Sequence, residues 1–490
     1  MMPLVHSMAP RNPTTPLPQF QIGILMMLEL AETVASMSIY PYINQLIREI
    51  DITGGDDAAV GYYVGLIDSL FYLAQALTVL SWSRLSDRIG RKPVLSIGLM
   101  GACISMICFG LSTTFWSLVI SRCLWGMLNG NIGVMKTVMG ELTDSTNMAQ
   151  GFALIPVIWS IGSFVGPLMG GILARPQDHW PRILTNPFWG KYPYFLPCAV
   201  SASLLLLAFF TLSCFFEESL STRRRPSLAS TMPGISRGAN SDDQETSMAK
   251  STENALLWSL FTPVIVIPNA NYAMLSFLDV SFRALIPLFL STPIHLGGMG
   301  LTPSSIGLWL AFCGTVDGLF QALFLAKIVD WVGPKRLFCI SASCFAPLMV
   351  VFPIMSWLVR TRGVVDHAVM YALLFQLMLT VTWDMAFGAC CNKFIVSLQV
   401  TTYANPATAL MFVTASAPAK NVLGVVNGLS QSSGSVARAL GPALTTSLFA
   451  FSKQHNILNG NAVYVVLIIL SGVLRWLGSQ LPDEIQDRDE

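Results

Sequence analysis

Long hydrophobic segments alternate with short polar ones along the chain, from about Gln19 to Leu481. Each hydrophobic segment approaches the roughly 20 residues that a helix needs to cross about 30 Å of hydrocarbon. Because lipid offers no water to backbone groups, each such segment is expected to be helical. The pattern predicts twelve spans, at 20–43, 61–81, 94–112, 115–137, 152–174, 193–216, 263–290, 306–328, 337–358, 368–389, 424–451 and 460–480.

This pattern predicts an all-α, polytopic membrane protein with two pseudo-symmetric bundles of six helices. The expected units are a tail, a first bundle, a linker, a second bundle and a tail, at 1–19, 20–216, 217–262, 263–481 and 482–490. The linker is rich in Ser, Thr and Arg and lacks a hydrophobic period around which to fold. A polar stretch at 390–410 interrupts the second bundle, and we interpret it as an insertion or as translated intron sequence.

Composition fits a membrane environment, since 53% of the residues are hydrophobic and only 11% are charged. An ordinary soluble domain carries about 25% charged residues. The formal net charge of +1 gives no reason to expect nucleic acid as a partner. The ten cysteines lack zinc-ligand spacing, and the chain has no nucleotide-binding loop or catalytic histidine constellation. We therefore expect no metal, no cofactor and no enzymatic activity.

The distribution of charge predicts the topology. Basic residues follow spans 2 and 8, among them Arg84 and Arg336, whereas the loop after span 1 is acidic at Asp51 and Asp56. By the positive-inside rule the two basic loops face the cytoplasm. An even number of spans then places both termini in the cytoplasm as well. The membrane itself is left open between the plasma membrane and a vacuolar-type membrane.

The two halves repeat each other's landmarks. Three positions after span 2 recur with the same spacing after span 8, namely Asp87, Gly90 and Lys92 against Asp330, Gly333 and Lys335. Gly166-Pro167 in span 5 corresponds to Gly441-Pro442 in span 11, the fifth span of each half. Such repetition indicates duplication of a six-span unit, as is typical of transporters.

Three segments have a more specific composition. The first runs from Ser83 to Lys92 and reads Ser-Arg-Leu-Ser-Asp-Arg-Ile-Gly-Arg-Lys. The second joins Arg122 to Gly126 in span 4 and continues into Asn129-Gly130-Asn131-Ile132-Gly133. The third, in span 5, reads Gly-Ser-Phe-Val-Gly-Pro-Leu-Met-Gly-Gly from position 162 to 171. A carboxylate near a helix end and several cations form a breakable charge network, and small residues every fourth position let helices approach closely.

These segments resemble the major facilitator superfamily. The first is similar to its cytoplasmic signature, a glycine followed four residues later by Asp-Arg-x-Gly-Arg-Lys, with Ser83 in place of that glycine. The third resembles the motif that marks drug and proton antiporters within the superfamily, with its key positions at Gly162, Gly166, Pro167, Gly170 and Gly171. The chain looks closest to the twelve-span drug:proton antiporters of multidrug-resistance type, especially the zinc-induced facilitator-like branch.

The resemblance implies a proton-coupled exporter of small organic compounds that works by alternating access. Its partners would be the lipid bilayer, protons and a small-molecule substrate, and the chain would act as a monomer. A cytoplasmic gate is implied at two clusters of residues: Asp87, Arg88, Gly90, Arg91 and Lys92, with Asp330, Gly333 and Lys335.

Charged residues inside the spans are candidates for proton coupling and transport. A charge at the centre of a membrane helix costs about 2.5–3.5 kcal/mol on insertion scales, so these side chains should face protein or water. The candidates are Glu32, Asp68, Arg122, Lys136, Asp279, Arg283 and Arg438. Glu29, Asp317 and Asp384 also lie within spans, and the sequence assigns them no role.

Structural ion pairs and titrating groups are competing interpretations of these charges. Asp279 and Arg283 are four residues apart on one helix face, which favours an ion pair. Glu32 and Asp68 have no cation nearby in the sequence and favour proton exchange, because burial favours a neutral carboxyl group and wetting reverses this. Arg122 either binds an anionic group or neutralises one of the carboxylates.

The favoured function is export of amphipathic organic compounds through a cavity between the halves. Aromatic side chains near mid-span either line this cavity or pack in the core, namely Tyr40, Phe71, Trp125 and Trp159. A proton-coupled nutrient symporter is one alternative, because only the span 5 motif argues for export. A receptor or scaffold with a transporter fold is a second, which the interruption at 390–410 keeps open.

Overall fold

A computed structural model describes residues 15–143, 147–182, 186–218, 263–388 and 423–481. The regular elements within these ranges are all helices. The interruption at 390–410, most of the linker and most of both tails lie outside the described residues.

Ten of the described α-helices belong to the N-terminal half. They are α1 (Gln19–Met37), α2 (Ile43–Glu49), α3 (Val60–Ile89), α4 (Arg91–Gly110), α5 (Phe115–Leu128), α6 (Asn131–Leu142), α7 (Met148–Leu173), α8 (Pro176–His179), α9 (Pro187–Lys191) and α10 (Phe195–Phe215). The C-terminal half contributes six, α11 (Pro263–Ser291), α12 (Pro303–Val332), α13 (Pro334–Arg362), α14 (His367–Gly388), α15 (Leu423–Gln454) and α16 (Ala462–Ser479). Two short 3₁₀ turns, Ile294–Leu296 and Ile457–Gly460, lie in connections of the C-terminal half.

Ten of the described helices are long and apolar enough to cross a membrane, namely α1, α3, α4, α7, α10, α11, α12, α13, α14 and α16. Predicted span 4 is divided between α5 and α6, and neither piece has the required length. Predicted span 11 is the 32-residue α15, which carries many small polar residues. The prediction of a polytopic helical bundle is therefore confirmed, whereas membrane crossing by spans 4 and 11 stays a prediction.

The break between α5 and α6 falls at Asn129-Gly130, two residues that are poor helix formers. The Trp82 indole Nε1 donates a 2.7 Å hydrogen bond to the Met127 carbonyl oxygen beside the break. A break inside a bundle requires such a partner, because an unpaired backbone group buried in protein or lipid is costly. The break starts α6 in the interior of the N-terminal half, where Asn131 is fully buried.

One predicted boundary was wrong. Span 1 was predicted to continue to residue 43, but α1 ends at Met37, and a turn leads into the short α2. The predicted span 61–81 agrees with the apolar part of α3, Val60–Val79, and the helix continues beyond it to Ile89, so that most of the first motif is helical. Polar residues extend α3 past its apolar part, whereas a turn at 38–42 ends α1 early.

Each half has a characteristic glycine at one end of the bundle. Gly90 has φ 107° and ψ 162° between α3 and α4, and Gly333 has φ 86° and ψ 150° between α12 and α13. A positive φ favours glycine, which explains why this residue recurs at both positions. We call the end of the molecule that holds Gly90 and Gly333 the motif end, and the opposite end, which holds α2 and α8, the distal end.

The halves contact each other through two pairs of long helices. α7 packs along α12, and α3 packs along α15. At the distal end α2 also contacts α11. These three contacts combine elements of both halves, so the space between the halves is bordered by α3, α7, α12 and α15.

Candidate functional site

The first buried charge pair joins α3 to α5. Arg122 Nη2 lies 3.1 Å from Asp68 Oδ1, and the two side chains are 3% and 4% exposed. The guanidinium also lies over two aromatic rings, with its carbon 4.9 Å from the centre of Phe71 and 5.5 Å from that of Trp125. Arg122 Nε and Nη1 are buried without a hydrogen-bond partner in the described structure. Removal of one member of such a pair leaves an uncompensated buried charge, so the pair is sensitive to any change in protonation.

Glu32 lies on α1 and accepts a short hydrogen bond from Asn131 Nδ2 at the start of α6. The side chain of Glu32 is 8% exposed and that of Glu29 is 5% exposed, so both carboxyl groups are inside the bundle. Glu29 interacts electrostatically with Lys136 on α6. The break before α6 thus brings a helix N-terminus, with its partial positive charge, next to Glu32.

A second charge cluster lies in the C-terminal half. Arg283 Nε on α11 lies 3.0 Å from both carboxylate oxygens of Asp279, and its Nη2 lies 3.5 Å from Asp384 Oδ1 on α14. Asp317 on α12 also interacts electrostatically with Arg283 and accepts hydrogen bonds of 3.0 and 2.9 Å from Gln321. One cation therefore faces three carboxyl groups from three helices. Asp279 and Arg283 do form the predicted contact within one helix, but they belong to a larger cluster.

The first motif forms a charge network at the motif end. Arg91 Nη1 lies 2.6 Å from Asp87, and Arg91 Nη2 lies 3.0 Å from Glu141 at the end of α6. The backbone N–H groups of Arg91 and Lys92 donate to the Glu218 carboxylate at 2.7 and 3.1 Å. The Glu218 carboxylate also occupies the space that a side chain at Gly90 would need. All of these contacts lie within the N-terminal half and the start of the linker in this conformation.

The remaining gate residues are less informative. Arg88 is exposed at the end of α3. Gly333 repeats the backbone conformation of Gly90 directly before α13. Lys335 is the second residue of α13. The Asp330 side chain lies outside the described part of the structure. The gate role of the two clusters stays a prediction.

The glycines of the third motif form two different helix contacts. A side chain at Gly162, Gly166 or Gly170 would collide with α1 or the turn that follows it, at Thr33, Met37 and Ser38. A Cβ at Gly171 would instead lie 2.6 Å from the Pro303 carbonyl oxygen and 2.9 Å from the Gly307 Cα, both on α12. α7 continues as a helix through Pro167. The motif thus lets α7 lie directly against the helix that carries Glu32 and against a helix of the other half.

Hydrogen bonds between the halves lie toward the distal end. Gln454 at the end of α15 donates to Asp56 at 2.5 Å and accepts from Tyr62 at 3.0 Å. The Ala443 backbone N–H on α15 donates to Ser69 Oγ on α3 at 2.8 Å. Ser304 Oγ on α12 donates to the Gly171 carbonyl oxygen on α7 at 3.0 Å.

A cavity of about 890 Å³ opens at the same distal end, between residues of both halves that include Arg48, Asp57, Pro293 and Ile306.

Sequence reasoning missed several residues of these sites. Asp317 and Asp384 were noticed as charges within spans, but nothing in the sequence indicated that they surround Arg283. Asn131 belongs to the second motif segment, but its contact with Glu32 could not be predicted, because it depends on the break in the helix before α6. Glu218 carried no signal, because its distance of 127 residues from Arg91 along the chain is closed only by the fold. Of the four aromatic candidates, Phe71 and Trp125 are buried against Arg122, Tyr40 is half-buried, and Trp159 is 37% exposed.

Comparison with known proteins gives the same class. The family model of the Major Facilitator Superfamily matches residues 24–442. The Major facilitator-type transporter psiT2 of Psilocybe cyanescens is 31% identical, over 97% of this chain and 92% of that protein. The Major facilitator superfamily multidrug transporter mfsB of Aspergillus fumigatus is 29% identical, over 89% of this chain and 79% of that protein. Protein ZINC INDUCED FACILITATOR 1 of Arabidopsis thaliana is 26% identical, over 89% of this chain and 85% of that protein.

The fold and the buried charges define an integral, multi-pass membrane transporter with two related helical halves. The chain belongs to the major facilitator superfamily, whose members are transporters and not enzymes. Its relatives include a multidrug transporter and a zinc-induced facilitator, and this confirms the branch that the sequence motifs indicated.

Proposed function

We propose that this transporter exports small organic compounds from the cytoplasm in exchange for protons. The observation that carries the proposal is the buried pair of Asp68 and Arg122, held between α3 and α5 in the bundle interior. A carboxylate in such a place gains or loses a proton when its hydration changes, and an alternating cavity supplies that change. Glu32 is the second candidate carboxyl group, held by Asn131.

Protonation of Asp68 would remove the negative charge that neutralises Arg122. The guanidinium already has two nitrogens without partners, so it would keep only a neutral acceptor at Asp68 and its contacts to Phe71 and Trp125. Buried cations of this kind are strongly disfavoured, and a shift of α3 against α5 that lets water or substrate reach Arg122 would relieve the cost. Proton loading and helix movement would in this way be coupled.

The contacts between the halves support a conformation open at the motif end. The hydrogen bonds of Gln454, Ser69 and Ser304 join the halves at the distal end, whereas the network of Arg91 joins elements of one half. Rocking of the halves would break the distal contacts and bring the motif ends together. If the positive-inside rule holds, the motif end faces the cytoplasm, and this conformation is ready to receive a cytoplasmic substrate.

The contacts of α7 support coupling between the two halves, and the relatives support export. α7 touches both α1, which carries Glu32, and α12 of the other half, so a change at the proton site reaches the second half directly. One relative is described as a multidrug transporter and another as an efflux pump, azaK of Aspergillus niger. Proton-coupled nutrient uptake would use the same machinery in the opposite sense.

Reconstitution into vesicles with an imposed pH gradient tests the proposal. A panel of organic cations, organic acids and metal chelates would be offered, and solute movement and proton movement would be measured together. We expect Glu32→Gln and Asp68→Asn to lose gradient-driven transport while retaining folding and membrane insertion. Asp51→Asn, which alters an exposed acid of the loop after α2, is the control and should transport normally. Full gradient-driven transport by both Glu32→Gln and Asp68→Asn would overturn the proton assignment, and transport only toward the motif side would favour the symporter.

A further inference from the structure

Arg438 is a mid-helix cation whose described partners include no carboxylate. It lies at the centre of α15, and its Nη2 donates a 2.8 Å hydrogen bond to the Tyr272 hydroxyl on α11. The other arginines deep in the bundle differ, since Arg122 pairs with Asp68, and Arg283 pairs with Asp279 and Asp384. Among the described residues, no carboxylate forms an ion pair with Arg438.

The surroundings of Arg438 come from both halves. Tyr272 interacts electrostatically with Lys136, which lies on α6 of the N-terminal half. Arg438 interacts in the same way with Tyr72 on α3. Arg438 and Tyr272 are therefore in direct contact, and Lys136 and Tyr72 of the N-terminal half lie within electrostatic reach of this contact. Arg438 and Lys136 are both half-buried, so part of each residue stays accessible.

The ion pairs near this contact leave Arg438 out. Glu29 interacts with Lys136 and Asp68 pairs with Arg122, whereas no described carboxylate lies within ion-pair distance of Arg438. A charge in the middle of a membrane helix is costly, and it is retained where it faces a partner or a pathway. A guanidinium offers paired N–H donors that match the geometry of a carboxylate, sulfonate or phosphate group.

We propose that Arg438, with Lys136 and the Tyr272 hydroxyl, forms the binding site for an anionic group on the transported compound. The inference rests on the proposed transport function and adds the chemical class of the substrate, an amphipathic organic anion. The site would include residues of both halves, so a bound anion would contact both and would favour one arrangement of the halves over another. The same chemistry would recognise the phosphate of an anionic lipid, and the experiment separates the two sources.

Two dyes with the same ring system provide the probes, fluorescein as the anion and rhodamine 123 as the cation. Binding to the purified full-length protein in neutral detergent would be measured by fluorescence polarisation. We expect the wild type to bind fluorescein and Arg438→Gln to bind it at least about tenfold more weakly, a change of about 1.4 kcal/mol. Arg438→Lys should restore part of the affinity, because it keeps the charge but not the paired donors. Arg475→Gln, an exposed arginine elsewhere in the C-terminal half, is the control and should bind like the wild type.

Several outcomes would overturn the anion site. These are the absence of fluorescein binding to the wild type, equal affinity of wild type and Arg438→Gln, or an equal loss of rhodamine 123 binding in that variant. Displacement of fluorescein by low concentrations of phosphatidylglycerol would instead assign the site to a lipid headgroup and overturn its role in substrate binding. Gradient-driven transport of rhodamine 123 by a protein that does not bind fluorescein would refute this inference and leave the proposed transport function standing. Fluorescein binding without gradient-driven movement of either dye would support the anion site and contradict the proposed function.

Discussion

Single charged residues in this protein differ chiefly in the kind of partner that the fold gives them. Asp68 and Glu32 are similar in the sequence, yet one pairs with an arginine and the other with an amide. A third case is Lys453, which lies at the end of α15, two residues beyond the predicted span. Its Nζ is buried without a hydrogen-bond partner in the described structure and lies 5.2 Å from the centre of the Phe449 ring.

Lys453 gives a pH-dependent contribution to stability. Burial, together with the nearby Arg360, lowers the pKa of the Lys453 amine to about 7. In the unfolded chain a lysine keeps its proton up to a pH near 10.4. Between about pH 7 and 10 the unfolded state therefore binds more protons than the folded state. The free energy of unfolding rises in this range by about 1.4 kcal/mol per pH unit. We expect Lys453→Met to unfold at a higher temperature than the wild type at pH 6 and to lose this advantage toward pH 10.

Thermal unfolding in detergent across this pH range would measure the effect of Lys453. Lys191→Met, at an exposed lysine of α9, is the control and should follow the wild-type curve. Parallel curves for Lys453→Met and the wild type would show that the buried amine does not titrate as described.

Whole elements are placed by a few special contacts at their ends. α4 begins directly after Gly90, and the Glu218 carboxylate accepts hydrogen bonds from its first two backbone N–H groups. A carboxylate at a helix N-terminus satisfies otherwise unpaired donors and interacts favourably with the helix dipole. Lys92 Nζ adds a 2.7 Å hydrogen bond to the Phe216 carbonyl oxygen, so α10 and α4 are tied together at the motif end.

This tie predicts an effect of a single charge at the end of α10. Glu218→Gln should lower the free energy of unfolding by about 1 kcal/mol, because the capping contact loses its charge. The measurement is the unfolding midpoint of the purified protein at neutral pH. Glu217→Gln is a matched control, since the neighbouring Glu217 engages Gln21 through its backbone N–H. A loss of stability as large in the control would mean that general surface charge, and not the α4 cap, is responsible.

Across the molecule, one of the close approaches between the two halves is at Gly171 and Gly307. Each lies against the backbone of the other's helix, and neither has room for a side chain. Ser69, which accepts from the Ala443 backbone, is buried at the other long contact between the halves, where α3 packs along α15. Any side chain at Gly171 must therefore separate α7 from α12 at the distal end.

We expect Gly171→Leu to open the distal end, because the leucine side chain prevents α7 and α12 from closing there. Transport should slow at least about tenfold, which corresponds to a free-energy cost of about 1.4 kcal/mol for reaching the closed distal state. Maleimide labelling of Ser69→Cys, in a background without reactive native cysteines, would measure the opening. Labelling should be faster with Gly171→Leu. Gly472→Leu is the control, since a Cβ there meets nothing within 4 Å, and it should leave both labelling and transport unchanged. Unchanged labelling with Gly171→Leu would contradict the assignment of this contact to the distal closure.

The pattern of residues was sufficient to predict most of the helices, the duplication and the family. Apolar segments of about twenty residues must be helical in lipid, because their backbone groups can be paired only within the segment. The repeated Asp-x-x-Gly spacing marks the same turn in both halves, and the positive φ of Gly90 and Gly333 explains the glycine. Which charges meet depends on the tertiary structure. Asp68 with Arg122, Glu32 with Asn131, and Asp384 with Arg283 are pairs from different helices, and their distance along the chain is unrelated to their distance in space. Local patterns specify an element, whereas a partner across the bundle depends on how each helix is rotated and where it breaks, and those are set by packing of the whole molecule.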